Sequence, residues 1–178
     1  MFFVSKAIAA KVEASGSRLA TQPRISIRKF LEGFRDSIES EAVNSFWDSR
    51  AKGKLRTRAE KLGQECLGLF ADAKLEKRGA LIREATSGIG FVDVLVTFSS
   101  GLVHVVELKI LKGNKIPGPE QVATYMKHKH RKEGWLVFFD ARSANGRTII
   151  PETFKRAVGT IRTIVIDINP VAPSKLAN

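Results

Sequence analysis

Ile27, Phe30, Leu31, Phe34, Ile38, Ala42 and Phe46 recur at steps of three and four, the period of one apolar helix face. Gln22-Pro23 parts this stripe from a shorter apolar stretch around residues 2–14, since proline interrupts a helix. Residues 1–50 are expected to form a helical N-terminal extension, packed on the main domain of residues 51–178 or serving as a docking surface. A second stripe, Leu55, Ala59, Leu62, Cys66, Leu69, Phe70 and Ala73, predicts a helix over 54–75. Cys66 lies within that stripe and reads as a small buried hydrophobe.

Beyond Gly79 the pattern changes to short extended runs. Strands are expected over 80–85, 91–98 and 102–111, with Ser87-Gly88-Ile89-Gly90 and Ser99-Ser100-Gly101 as turns. Pro119 suits the first turn of a helix expected to reach residue 132, with Gly134 just past its end. The apolar run 135–140 reads as a buried strand. Asn145-Gly146 signals a turn, Pro151 is expected to open a further helix, and 163–168 forms the last strand. The middle of the chain is thus helix, three strands, helix, strand: an α/β domain.

Alternation in the strands sorts the side chains by face. Val92, Val94, Val96 and Phe98 share one face, and Phe91, Asp93, Leu95 and Thr97 the other. In the next strand His104, Val106, Leu108 and Ile110 oppose Val103, Val105, Glu107 and Lys109. A hairpin around residues 99–101 brings Asp93 close to Glu107 and Lys109. Carboxylates inside valine-rich strands are costly unless paired or ligating. Two of them beside an ammonium suit Mg²⁺ or Mn²⁺, hard ions that take oxygen ligands and phosphate oxygens. Such an ion stabilises charge on a phosphodiester and acidifies bound water; Lys109 would orient that water or stabilise the transition state. The competing view makes the three residues ordinary surface ion pairs. His104 falls on the apolar side and reads as a core histidine, and His128 and His130, two apart on a helix, make a poor metal pair.

Charge narrows the partner. The 178 residues carry 30 Lys and Arg against 18 Asp and Glu, a net +12 with pI near 10.1, spread along the chain rather than in a tail. Nucleic acid is the leading attractor of such charge, because neutralised phosphates release counterions. Lys127, Lys129, Arg131 and Lys132 end the 119–132 helix, and Lys52, Lys54, Arg56 and Arg58 lead into the 54–75 helix. Both clusters could grip a phosphate backbone, the first of them near the acids. The 43% apolar content supports a packed core. No run approaches a membrane span, Lys6 cuts short any signal-peptide core, and one cysteine forms no internal disulfide or cluster. A cytoplasmic protein without membrane association is expected.

Gly90-Phe91-Val92-Asp93, a short turn, and Val106-Glu107-Leu108-Lys109 resemble the signature of the PD-(D/E)xK nuclease superfamily, with Val92 where that pattern carries proline. The resemblance spans residues 60–140 and implies an αβββαβ restriction-endonuclease-like core with a mixed central sheet. Gln121-Val122-Ala123-Thr124-Tyr125 is similar to the Gln-x-x-x-Tyr motif of its RecB-like branch, which implies that Gln121 and Tyr125 support the site. It also implies metal ligation by Asp93, Glu107 and the Leu108 backbone carbonyl, and a further Glu from the preceding helix. Glu60, Glu65 and Glu84 compete for that place; Glu65 lies at the edge of the stripe and is preferred over Glu60, which lies nearly behind it. The implied activity is metal-dependent hydrolysis of phosphodiester bonds, with DNA favoured over RNA as substrate, by an endo- or exonuclease acting alone, as a homodimer or with a partner subunit. The alternative is an inactive nuclease-fold subunit that only binds nucleic acid.

Overall fold

A computed structural model describes residues 25–48, 53–86, 91–143 and 147–170, with the backbone alone for 84–86 and 91–93. Among the described residues three α-helices, α1 (Ile27–Ser37), α2 (Ala59–Leu75) and α3 (Pro119–His128), accompany one mixed sheet. Its strands are β1 (Gly79–Thr86), β2 (Phe91–Phe98), β3 (Val103–Leu111), β4 (Glu133–Asp140), β5 (Thr153–Arg156) and β6 (Gly159–Asp167). The spatial order is β1-β2-β3-β4-β6-β5. β1, β2 and β3 form an antiparallel meander, β3, β4 and β6 run parallel, and β5 closes the edge antiparallel to β6. The parallel β3–β4 step needs a crossover, and α3 supplies it. Among the described residues no helix is long and apolar enough to cross a membrane.

Strand alternation feeds two core layers. Val94, Val96, Val106, Leu108, Val137 and Phe139 face α1 and α2, while Leu95, Val105, Leu136 and Phe138 face α3. The α1 stripe is part of the first layer. Ile27, Phe30, Leu31 and Phe34 are buried, and Phe34 meets Phe139 edge to face with centroids 6.2 Å apart. The stripe does not stay in one α-helix through residue 46, however. It passes through a π-helical turn (Ile38–Ala42) and a 3₁₀ turn (Val43–Phe46), which still bury Ile38 and Phe46. The Asp167 N–H donates to Glu39 Oε1 at 2.8 Å, and the Trp47 indole N–H to the Ile168 carbonyl, tying this segment to β6 and the residue after it. The stretch 2–14 lies outside the described residues.

Three expectations are corrected here. The second helix starts at Ala59 rather than 54; Leu55 instead bridges Trp47 in antiparallel fashion. The third ends at His128, before the charged run finishes. Where Pro151 was expected to open a helix, Thr153–Arg156 forms β5. Four residues of alternating exposure are too few for a period of two to declare itself, and the edge strand exists because β6 offers it a partner.

The phase of α2 also differs. Its buried face is Ala59, Gly63, Leu67, Gly68, Ala71 and Leu75, about one residue round from the expected stripe. A Cβ at Gly63 would overlap the Phe139 ring, and one at Gly68 would come within 2.8 Å of the Arg83 guanidinium carbon. These glycines are the lines of closest approach, yet a hydrophobicity pattern gives them no weight. Leu69, counted in the stripe, is 71% exposed.

Candidate functional site: an acid–lysine cluster at the end of β3

One face of β3 carries Val105, Glu107 and Lys109 in succession. Val105 packs in the α3-side layer and Glu107 is fully buried. Lys109, towards the strand's C-terminal end, places Nζ 2.9 Å from Glu107 Oε1, with 17% of its side chain exposed. A carboxylate in such a place is expensive unless a cation stands beside it. Lys109 Nζ also lies 3.3 Å from Glu60 Oε1, from the first turn of α2, while Glu60 Oε2 accepts the Ile110 N–H at 3.4 Å. One ammonium therefore joins an acid of the sheet to an acid of the helix. Gly118, the N-cap of α3, closes in from the third side. Its φ of +99° suits glycine, and a Cβ there would sit 2.9 Å from Leu136 Cδ1 and 3.3 Å from Lys109 Cγ.

The preferred helix acid is not the one that meets Lys109. Glu65 is exposed on α2, and Glu60 is the residue brought to Lys109. Five residues on a helix turn by about 140°, so the two carboxylates never share a face, and the phase α2 adopts turns Glu60 to the sheet. Asp93 is described through its backbone. The β1–β2 register runs from Arg83–Val94 to Ala85–Val92 and so sets Glu84 against Asp93. The last β2–β3 pair is Val94–Val106, one step short of Asp93 and Glu107. The side chains of Asp93 and Glu84 lie outside the description. Among the described residues no three His, Cys, Asp or Glu side chains are grouped to hold an ion. The donors that are described, Glu107 and Glu60 with the Leu108 carbonyl between Glu107 and Lys109, are all oxygens, the set that suits Mg²⁺ or Mn²⁺ rather than a soft metal.

Gln121 and Tyr125 lie one turn apart on α3, and the Gln121 amide donates to the Tyr125 hydroxyl at 3.0 Å. Tyr125 is 6% exposed within the α3-side core beside Val105 and Leu136. The two basic clusters fall at opposite ends of the sheet. Lys54, Arg56 and Arg58 are exposed and lead directly into Glu60; Lys52 lies outside the described residues. Lys127, Lys129, Arg131 and Lys132 close the far end of α3, away from Lys109, which corrects the expectation that they flank the acids. A helix that crosses back over its sheet must separate its two ends.

His104 packs edge to face on Phe98 at 5.5 Å, and burial pulls its pKa down. Cys66 is half-buried; burial first and the Glu65 charge second push its thiol pKa up.

A second polar cluster went unnoticed in the sequence. Asp140, at the end of β4 and paired in register with Leu111, receives both Arg142 Nε (2.9 Å) and Nη2 (2.8 Å). Both side chains are nearly fully buried. The Arg142 N–H also donates to Asp140 Oδ1 at 3.0 Å, and Arg147 lies 3.6 Å from Asp140 and 3.3 Å from Asp167. Burial alone would raise the Asp140 carboxyl, but the Arg142 hydrogen bonds and the charges of Arg142 and Arg147 together hold it below the usual carboxylate range. The Asp-x-Arg spacing was the available signal, masked by its position at a strand end where a turn was expected.

Fold and site together define a mixed α/β domain with an acid–lysine cluster at the C-terminal end of a central strand. Residues 25–143, two thirds of the chain, match the family model described as a domain of unknown function (DUF8371), and the chain belongs to that family. The match takes in α1 to α3 and β1 to β4, hence every residue of the cluster, and stops before β5 and β6. No curated protein and no solved structure matches.

Proposed function

We propose that this protein is a metal-dependent nuclease with a restriction-endonuclease-like core, hydrolysing phosphodiester bonds in DNA. The observation that carries the reading is the fully buried Glu107 held 2.9 Å from Lys109 at the end of β3. Such depth adds little stability to an ion pair, because the desolvation cost rivals the Coulomb gain. A site that must hold a cation beside a phosphate does gain from it. Asp93, Glu107 and the Leu108 carbonyl would hold Mg²⁺ or Mn²⁺, with Glu60 in the place first given to Glu65. A bound ion supplies charge neutralisation at the phosphodiester and a more acidic water. Lys109, already bridging Glu107 and Glu60, positions its ammonium for the attacking water or the developing phosphorane charge. Exposed Lys54, Arg56 and Arg58 lie on the chain just before Glu60, where a substrate backbone entering the site would meet them.

The test is release of labelled nucleotides or cut strands from DNA and RNA substrates with Mg²⁺ or Mn²⁺. Glu107→Gln and Asp93→Asn keep size while removing charge, so cleavage should fall by orders of magnitude with DNA binding retained. Wild-type cleavage by either variant would overturn the assignment. Binding with no cleavage by the unaltered protein would leave the second reading, a nucleic-acid-binding subunit.

A further inference from the structure

We propose that the turn closing α3, Lys127 to Lys132, is a second binding surface for the nucleic-acid backbone, separated from the acid–lysine cluster by the length of α3. The nuclease reading supplies only the identity of the polyanion; the surface itself rests on geometry and charge.

The two ends of α3 are fixed against the sheet. Gly118 abuts Lys109 and Leu136 at one end, and at the other the backbone of Gly134 lies under Val122 and Met126. Ten helical residues rise by about 15 Å. The turn therefore lies at the opposite end of β3 and β4 from Lys109.

Its charge is uncompensated. Glu133, the acid that follows the segment, is taken by Arg162 (2.8 Å) from β6, and Glu120, in the first turn of α3, by Arg156 (2.7 Å) from β5. Lys127, Lys129, Arg131 and Lys132 carry no ion pair among the described residues. Lys127 and Lys132 are exposed, and the half-buried Arg131 has an Nε without a hydrogen-bond partner. The backbone adds an independent sign. Arg131 N–H bonds the Met126 carbonyl at 2.8 Å and His130 N–H the Lys127 carbonyl at 3.2 Å, a helix stop that puts His130 at φ +52°. Glycine is the residue that takes this conformation without steric cost. The chain instead keeps six consecutive cationic or titratable side chains, breaking a local rule in the way binding sites do.

Phosphate backbone fits this surface better than a lipid headgroup layer does. Successive phosphates of a duplex strand advance by about 3.4 Å, so the rise of about 15 Å along α3, from the acid–lysine cluster to this turn, corresponds to four or five of them. Membrane-seated basic segments place apolar side chains beside the cations, and Lys127–Lys132 contains none.

The experiment measures binding of a labelled single strand of about 20 nucleotides, in EDTA and over a range of salt, by fluorescence anisotropy. Each cation that meets a phosphate of a single strand contributes about 0.7 to the slope of log affinity against log salt. Replacing all four cations by Gln should lower the slope by about 3. The milder Lys127→Gln/Lys132→Gln variant, which alters two exposed side chains only, should lower it by about 1.4 with an unchanged melting temperature. Glu107→Gln should keep the full slope. An unchanged slope in the folded double variant would overturn the proposal. So would loss of binding to phosphatidylserine vesicles with strand affinity intact. Because no cleavage is read, an inactive but salt-sensitive wild-type protein would count against the nuclease reading and not against this surface.

Discussion

Replacing Asp140 by alanine should be among the most destabilising single changes in the chain. The carboxylate is almost fully buried and takes the Arg142 guanidinium through two oxygens, at 2.9 and 2.8 Å, plus the Arg142 N–H at 3.0 Å. Its removal leaves a guanidinium that is 7% exposed and, among the described residues, one side-chain bond, from Nη1 to the Thr148 carbonyl at 3.1 Å. Breaking one side of a buried pair costs about 3–5 kcal/mol. Residual stability for a domain of this size is about 5–15 kcal/mol, so Asp140→Ala should fold only marginally. The companion Asp140→Leu/Arg142→Met removes both charges and should recover most of the loss. The dependence on pH has a definite sign. The folded carboxyl titrates below its ordinary value of 3.8, so its contribution is present above that value and lost as pH falls through the folded one. The penalty of Asp140→Ala should therefore be full at neutral pH and shrink on acidification. Asp167, whose carboxyl burial would raise but the Asn169 and Arg147 bonds lower, acts in the same direction. Urea denaturation followed by circular dichroism, at neutral pH and in acid, measures both. A loss under about 1 kcal/mol at neutral pH, or a penalty that grows in acid, would refute the buried-brace account.

The helix acid separates two residues five apart. Glu60→Gln should reduce metal-dependent cleavage at least tenfold, whereas Glu65→Gln should leave it unchanged; the reverse order, read in the same nuclease assay, would return α2 to its originally expected phase. His130→Gly should raise stability by about 1 kcal/mol, since glycine meets no steric penalty at φ +52°. It should also leave strand binding nearly intact, because the fixed cations remain; thermal unfolding and anisotropy check the two parts.

The sequence by itself determined the local alternation of β2 and β3, and with it that Glu107 and Lys109 share a face. Pairing in a strand is a matter of counting by two, and the hairpin turn at 99–101 set the register. It likewise determined the α1 stripe, whose bulky residues state their own phase. Tertiary structure alone decided the rest. The phase of α2 follows from Gly63 and Gly68, which are buried by what approaches them and carry no hydrophobic signal, so Glu60 rather than Glu65 reached Lys109. β5 exists because β6 has an open edge beside it. The path of α3 back across the sheet separated Lys127–Lys132 from the acids. Asp140 and Arg142 form a buried pair because the end of β4 meets the end of β6, Asn169 and the Thr148 carbonyl. Each of these outcomes depends on what stands opposite a residue, and a linear pattern holds no record of that.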